Sequence, residues 1–224
     1  MAKATAKAPR KGVTVRLNRR QRLAWLRLIR SENVGPATFR TLVNEFGGAE
    51  AAIEDLPMLS RRGGAHHIRL CSEDEAEGEL AAAEALGAYL AAIGEPGYPP
   101  ALVEVDAPPP LVYVKGNLDL AGSPIVALVG ARNGSAVGQK FTRGLATDLG
   151  LEGFVIASGL ARGIDTAAHL ASLECGTIAV LAGGIDNVYP PENEELQRAI
   201  GKRGLLLSER ARFSPRGKSP AATG

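Results

Sequence analysis

The sequence predicts an α/β protein in which a small all-helical domain precedes a parallel sheet with helices on both faces. Residues 19–93 place apolar side chains at the spacing of amphipathic helices. After Gly122, short apolar runs alternate with helical segments of roughly ten residues. This alternation is typical of parallel strands that are buried on both faces. A chain of 224 residues is long enough for both domains.

Four segments follow from this pattern. Residues 1–18 are rich in Ala, Lys, Pro and Arg and are predicted to be a disordered basic arm. Residues 19–93 form the helical domain, and residues 94–209 form the domain that contains the sheet. Residues 210–224 are predicted to be a disordered tail.

The helical domain is predicted to contain four helices. The first begins at Arg19, and the second begins at Pro36, which suits the first helical position, and ends at Gly47. A short third helix covers residues 49–55, and an Ala-rich fourth helix covers residues 73–93. The turn between the first two helices resembles those of SAM-like and helix-hairpin-helix domains, whose backbone amides can contact DNA phosphates. A Gly-Pro turn also occurs in helical bundles that lack this role.

The second domain alternates strands and helices. Its predicted strands cover residues 111–116, 125–129, 154–157, 177–181 and 205–207. Its predicted helices cover residues 136–149, 165–174 and 192–200. Connections between parallel strands are right-handed, and ligands of such sheets bind beyond the carboxyl ends of the strands. The domain is therefore predicted to be Rossmann-like, with its binding site in the loops at one edge of the sheet.

The loops after the first two parallel strands each combine glycines with an arginine. Arg132 lies in residues 130–135, and Arg162 lies in residues 158–165. Glycines let the backbone approach a ligand, a guanidinium offers a planar set of donors, and a helix N-terminus favours an anion. Two such loops at one sheet edge predict an anion site and, more specifically, a nucleic-acid site. The predicted binding residues are Gly130, Arg132, Ser135, Ser158, Gly159, Arg162, Gly163 and Tyr189.

Structural roles remain open for several of these residues. Each arginine could instead pair with a nearby acid, Asp165 or Asp186, and the glycines could serve strand–helix packing. Ser135 and Asp165 are predicted to cap their own helices. Tyr189 could stack on a nucleobase or could only pack its own loop. His169, four residues after Asp165, could pair with that carboxylate.

Several functional classes lack their signatures. Residues 134–140 differ from a Walker loop because three residues rather than four separate the glycines, and Gln139 precedes the lysine. No GxGxxG follows the first parallel strand, so no NAD or FAD cofactor is expected. Cys71 and Cys175 have no paired spacing, so neither a disulfide framework nor a metal site is expected. We find no catalytic constellation and predict no catalytic residue.

The charge distribution predicts a polyanionic partner. Residues 1–30 contain ten Lys or Arg and no acid, and residues 198–224 contain seven against one, although the net charge is only +2. Basic ends around an acidic middle favour contact with a polyanion, unless the N-terminal arm is only a solvated extension. No apolar run reaches the roughly 20 residues of a membrane span, and no secretory signal follows the basic start. A cytoplasmic protein with no membrane partner is expected.

Seven motifs of this chain occur together in one known family. They are YPPAL at 98–102, PPPLVYVKGN at 108–117, VGAR at 129–132, SGLARGIDTAAH at 158–169, LAGGID at 181–186, YPPEN at 189–193 and GLLLSE at 204–209. Together they resemble the DNA-processing protein A family (DprA/Smf). The motif at 158–169 is highly specific, and the resemblance covers about residues 20–209.

The resemblance implies a protein of natural transformation, or competence, that binds single-stranded DNA. It also implies that the protein protects incoming strands and helps to load a RecA-type recombinase in DNA recombination, without an established catalytic reaction. The DNA pocket of the family corresponds here to Arg132 and Arg162. The implied partners are single-stranded DNA, a RecA-type recombinase and a second copy of the chain in a homodimer.

Two departures from the family pattern qualify these expectations. Some members carry a basic DNA-contacting residue after the Tyr-Pro pair, where this chain has Pro191. After Glu209 the family continues with a Phe-Pro-basic segment and further strands, which residues 210–224 do not resemble. The resemblance therefore implies a chain truncated near the end of the sheet, without part of the pocket and much of the dimer surface.

Two other functions remain open. Related Rossmann-like proteins of the cytokinin-activating LOG type are phosphoribohydrolases that cleave nucleoside monophosphates with a Pro-Gly-Gly-x-Gly-Thr loop and a nearby Glu. The corresponding residues here, 182–186, lack the Pro and the Gly-Thr pair. The remaining alternative is an interaction module with a defunct site.

Overall fold

The computed structural model describes residues 16–62 and 68–211 of the chain. Residues 1–15 of the predicted basic arm and residues 212–224 of the predicted tail lie outside these ranges. Within them, a helical unit precedes a six-stranded sheet. No helix in these ranges is both long enough and apolar enough to cross a membrane.

Four helices form the N-terminal unit. They are α1 (Arg19–Arg30), α2 (Pro36–Phe46), α3 (Ala49–Arg62) and α4 (Glu73–Ala85). Asn18 and Gln21 form a capping box that begins α1, in which Asn18 Oδ1 accepts from the Gln21 amide at 2.9 Å. Gly47 ends α2 with a φ of 75°, the left-handed conformation that glycine tolerates. Both ends of α2 agree with the prediction, whereas α3 extends further than predicted.

The fourth helix is shorter than predicted. α4 ends at Ala85, and Gly87 adopts a left-handed φ of 68°. Tyr89–Ala92 then form an edge strand, β1, which pairs antiparallel with residues 111–114. The prediction of helix through residue 93 is wrong because it rested on alanine content, whereas pairing with a distant strand decides the conformation of this segment.

The sheet contains six strands in the order β1-β2-β6-β5-β4-β3. The remaining strands are β2 (Leu111–Gly116), β3 (Ile125–Ala127), β4 (Val155–Ser158), β5 (Thr177–Leu181) and β6 (Leu205–Ser208). β3 to β6 are parallel neighbours, as predicted. β2 joins β6 in antiparallel orientation, so β1 and β2 extend the parallel core by two antiparallel strands.

The α-helices cover one face of the sheet, and a 3₁₀ helix packs on the other. The α-helices of this domain are α5 (Ala136–Leu151), α6 (Ile164–Ser172) and α7 (Glu194–Arg203). These three helices share one face of the sheet. Ile156 of β4 and Leu206 of β6 point to this face, where Ile156 packs with α5 and α6 and Leu206 packs with Ile200 of α7. On the opposite face, Val155 and Ile178 pack against the 3₁₀ helix Leu118–Gly122. The predicted Rossmann-like architecture is confirmed.

The ends of the described chain are fixed to the sheet. The Leu17 amide donates to Glu95 Oε1 at 2.8 Å, and Asn18 caps α1. At the other end, Ala211 is fully buried, and the Arg210 carbonyl accepts from the Ile185 amide at 3.3 Å. Residues 16–18 and 210–211 are thus hydrogen-bonded to the folded chain, although the sequence places them in the arm and the tail that are predicted to be disordered.

One arginine–glutamate pair joins the helical unit to the segment after β1, and a second pair lies within the helical unit, between α1 and α4. Arg22 contacts Glu95 at 2.7 Å, and Arg30 contacts Glu79 at 2.7 Å. Arg30 also donates to the carbonyl of Glu209, just after β6. Burial raises the pKa of Glu79, but its hydrogen bond and ion pair with Arg30 outweigh this effect, so the pKa of Glu79 is lowered. The pair is therefore charged when the protein is folded.

Candidate nucleic-acid interface

The candidate site lies at the carboxyl ends of the parallel strands. In β3, β4 and β5, Ala127 pairs with Ala157, and Ser158 pairs with Ala179, so the three strands end side by side. Because each strand continues into a loop there, residues 130–135, 159–163 and 182–186 leave the sheet at one edge. We call this group of three loops the rim.

The two loops that carry arginines touch each other. The Ile164 amide donates to the Ala131 carbonyl at 3.3 Å. Gly163 has a φ of 79°, and a Cβ placed on it would lie 2.4 Å from the Ala131 oxygen and 2.5 Å from the Arg132 oxygen. A Cβ on Gly130 would likewise lie 2.7 Å from the Ile164 side chain. These two predicted glycines therefore allow close contact between the loops that hold Arg132 and Arg162.

The two rim arginines differ in their partners. Arg132 is exposed and makes no ion pair within 4.0 Å in the described part of the chain. Arg162 Nε lies 2.6 Å from Glu192 Oε1, and the two side chains are 54% and 56% exposed. The hydrogen bond and charge of Glu192 raise the pKa of Arg162, and the same hydrogen bond lowers the pKa of Glu192. The sequence left open that each arginine pairs with Asp165 or Asp186. Arg162 does pair with an acid, but this acid is Glu192.

Asp165 binds the loop that precedes it and does not cap α6. The helix begins at Ile164 with Gly163 as its N-cap, and the buried Asp165 carboxylate points back toward the loop. Asp165 Oδ2 accepts from the amides of Gly159 at 3.2 Å and Ala161 at 3.3 Å. The prediction that Asp165 caps its helix is therefore wrong. These two amides therefore already have an acceptor within the protein.

Ser158 and Asn193 hold the Arg162 loop from inside. Ser158 is only 4% exposed, and its hydroxyl donates to the Leu128 carbonyl at 2.6 Å, so it links β4 to the end of β3. Asn193 Nδ2 donates to the Leu160 carbonyl at 3.0 Å and to Thr166 Oγ1 at 2.8 Å. Sequence reasoning noted Asn193 only as a motif letter, since its partners lie about thirty residues away.

The other predicted residues lie around the arginines. Ser135 is exposed and caps α5 as predicted, because its hydroxyl accepts from the Gly138 amide at 3.1 Å. Tyr189 is 58% exposed and lies near Arg162. The third loop is held by β6, because Ser208 Oγ donates to the Gly183 carbonyl at 2.5 Å. An exposed aromatic ring therefore accompanies the Arg162 side of the rim.

His169 lies in the core behind the rim. It is fully buried, and its Nδ1 lies 2.7 Å from Thr177 Oγ1, which in turn donates to the Ile156 carbonyl. Burial lowers the pKa of His169 to about 4, although the charge of Asp165 acts in the opposite direction. The closest partner of His169 is thus a hydroxyl, and the histidine links α6 to β5. In residues 16–62 and 68–211, no group of acids, histidines or cysteines is arranged to hold a metal ion.

The fold and the rim together define the chain as a Rossmann-like α/β protein with an N-terminal helical domain and two exposed arginines at the carboxyl edge. Residues 19–82 match the family model of the DprA-like N-terminal HHH domain, and residues 89–220 match that of DNA recombination-mediator protein A. The chain belongs to the DNA recombination-mediator protein A (DprA) family. Because the second match reaches residue 220, the expectation that the family resemblance stops at Glu209 is wrong.

Sequence similarity to individual DprA proteins supports this assignment. The chain is 48% identical to DNA processing protein DprA of Streptococcus pneumoniae over 118 residues, which cover 50% of this chain and 40% of that protein. The corresponding protein of Bacillus subtilis is 37% identical over 133 residues, which cover 58% of this chain and 45% of that protein. The chain thus spans less than half the length of these relatives.

Two solved structures share the fold. The X-ray structure of S. pneumoniae DprA matches 82% of this chain and 55% of its own, with a TM-score of 0.57 and 34% identity. A structure of DNA processing protein A from Helicobacter pylori, described as giving insight into its single-stranded DNA binding mode, matches 57% of this chain and 59% of its own, with a TM-score of 0.52 and 31% identity.

Proposed function

We propose that this protein binds single-stranded DNA along the rim, with Arg132 and Arg162 contacting backbone phosphates. The observation that carries the proposal is the contact between the two arginine loops at the carboxyl edge of the sheet. Both guanidinium groups are exposed there, so they can reach successive phosphates of one flexible strand. The H. pylori relative, whose structure concerns single-stranded DNA binding, is consistent with this ligand.

The remaining predicted residues have distinct roles in this proposal. Gly130 and Gly163 allow the two loops to touch, while Gly159 and Ser135 form the adjacent exposed backbone and helix start. Tyr189 offers an exposed ring on which a base can stack. Ser158 acts through the loop that it holds, since its hydroxyl is buried.

Binding of this kind depends on the backbone and depends little on base sequence. A guanidinium recognises a phosphate with charge-assisted hydrogen bonds, and every nucleotide presents the same phosphate. A tyrosine ring accepts any base because each base has a flat face. In a double helix the bases are paired and stacked on one another, so none is free to stack on Tyr189. We therefore expect the protein to prefer single strands of any sequence.

Membership in the DprA family extends the proposal to the cell. We propose that the protein acts in the cytoplasm during natural transformation, where it protects incoming single strands and helps to load a RecA-type recombinase. We further propose that it does so without catalysing a reaction and as a homodimer. Sedimentation or light scattering with and without a RecA-type recombinase tests the partner, since a heavier complex is expected only when both proteins are present.

The proposed DNA contacts are tested by a paired substitution. In the variant Arg132→Ala/Arg162→Ala, single-strand affinity should fall by about 2–4 kcal/mol, since each charged hydrogen-bond partner contributes about 1–3 kcal/mol. The control is Lys202→Ala/Arg203→Ala, which removes two exposed cations at the end of α7. They lie just before β6 begins, at the amino ends of the parallel strands and away from the rim. Fluorescence anisotropy of a labelled oligonucleotide measures both. Unchanged affinity in the folded rim variant contradicts the proposal.

A further inference from the structure

The ion pair with Glu192 occupies the guanidinium group of Arg162, which the proposed ligand requires. Glu192 Oε1 lies 2.6 Å from Arg162 Nε, within the distance of a charged hydrogen bond. Both side chains remain more than half exposed, so the pair is open to solvent and to competing anions. Arg132, the other rim arginine, makes no such pair in residues 16–62 and 68–211. Of the two arginines that are proposed to bind phosphate, only Arg162 therefore has an acidic competitor within the described residues.

The backbone of Glu192 is fixed close to the Arg162 loop. Glu192 lies in the 3₁₀ helix Pro191–Asn193, and its neighbour Asn193 is only 5% exposed. Asn193 Nδ2 donates to the carbonyl of Leu160, two residues before Arg162. This hydrogen bond keeps the Glu192 carboxylate within reach of the Arg162 guanidinium. The carboxylate therefore competes with phosphate as a group of the same molecule, at a high effective concentration.

We propose, on the basis of the proposed function above, that Glu192 is a tethered competitor for phosphate at Arg162 and makes this arginine the weaker of the two rim contacts. A ligand with one phosphate must displace Glu192 to bind Arg162, so it gains more by binding Arg132. A single strand that also binds Arg132 gains a second contact that no carboxylate opposes. Glu192 therefore weakens phosphate binding at Arg162 by the same factor for every ligand, and a ligand with one phosphate avoids this loss by binding Arg132.

The variant Glu192→Gln tests this proposal because it removes the competing charge and keeps the size of the side chain. The matched control is Glu195→Gln, an exposed acid in the first turn of α7 that forms no ion pair within the described residues. Labelled oligo(dT) measures strand affinity by anisotropy, and thymidine 5′-monophosphate serves as the competitor. Since an exposed ion pair contributes little, we expect Glu192→Gln to bind the strand about two- to fivefold tighter.

The competitor gives the second readout. Thymidine monophosphate can bind Arg132 without opposition, so its own affinity should rise less in Glu192→Gln than that of the strand, whereas Glu195→Gln should change neither value appreciably. The gain should vanish when Glu192→Gln is combined with Arg162→Ala. Equal or weaker strand binding by folded Glu192→Gln overturns the proposal and makes Glu192 a residue that positions Arg162. If instead Arg132→Ala/Arg162→Ala binds the strand like the wild type, the proposed function itself fails.

Discussion

At the scale of single residues, the site depends on glycines whose places no side chain can take. Gly163 combines a left-handed φ of 79° with a Cβ direction that is blocked by two carbonyl oxygens of the neighbouring loop. The sequence predicted this glycine as part of an anion loop, and the structure shows why glycine is required there. The contact with Ala131 and Arg132 was not predictable, because it joins loops about thirty residues apart.

Replacing this glycine should separate the two arginine loops. The variant Gly163→Ala should lose about 1–3 kcal/mol of unfolding free energy, because alanine is strained at positive φ and its methyl group would overlap the Ala131 oxygen. Urea denaturation measures the loss. The control is Gly144→Ala in α5, where no atom lies within 4 Å of the added Cβ and a gain of about 0.5–1 kcal/mol is expected. Equal stability of the two variants would contradict this role.

The buried histidine makes stability depend on pH. The folded pKa of His169 is about 4, whereas its ordinary value is 6.5, so between these values the unfolded chain binds the extra proton. The stabilising contribution is complete above pH 6.5 and is lost as the pH falls toward 4, by about 3 kcal/mol in total. Denaturation at pH 7 and pH 5 measures about 2 kcal/mol of this loss. The variant His169→Gln should show a much smaller decrease over the same interval.

At the scale of elements, local patterns and long-range pairing differ in how well they can be predicted. β2 and β5 lie over the predicted residues, because short apolar runs between glycines and prolines define buried strands. β1 was missed, since an alanine-rich segment reads as helix until its strand partner is known. The antiparallel extension by β1 and β2 follows from that same pairing and has no local signature in the sequence.

The loop before α6 is held by the carboxylate of Asp165, which lies in the first turn of that helix. Since Asp165 accepts from the amides of Gly159 and Ala161, its substitution should loosen the loop that carries Arg162. The variant Asp165→Ala should lose about 1–3 kcal/mol of unfolding free energy, and amides 159 and 161 should exchange hydrogen faster. Asp148→Ala, at an exposed position of α5, is the control. Protection of these amides equal to that of the wild type would show that Asp165 does not hold the loop.

At the scale of the whole molecule, a buried ion pair of the helical unit reaches the segment that follows β6. Arg30 and Glu79 are 14% and 18% exposed, and Arg30 also reaches the carbonyl of Glu209. The sequence indicated two domains and two arginine loops, but it did not indicate these pairs or the Glu192 partner of Arg162. Such contacts depend on how distant elements are placed, and charged residues in the sequence carry no information about their partners.

This junction predicts that the two parts unfold together. The variant Glu79→Gln leaves the buried guanidinium of Arg30 without its counter-ion, so the unfolding free energy should fall by about 2 kcal/mol or more. The loss should be the same for a probe of the helical unit, such as Trp25 fluorescence, and for far-ultraviolet circular dichroism of the whole chain. Separate transitions for the two probes in the wild type would contradict a single cooperative unit.

The salt dependence of single-strand binding tests the central claim most directly. If about four phosphates are neutralised, the logarithm of the association constant should fall with the logarithm of salt concentration at a slope of roughly −3. In Arg132→Ala/Arg162→Ala, two contacts are removed, so the slope should become shallower by about 1.4 while Lys202→Ala/Arg203→Ala keeps the original slope. An unchanged slope and affinity in the folded rim variant would contradict the claim that these two arginines bind the strand.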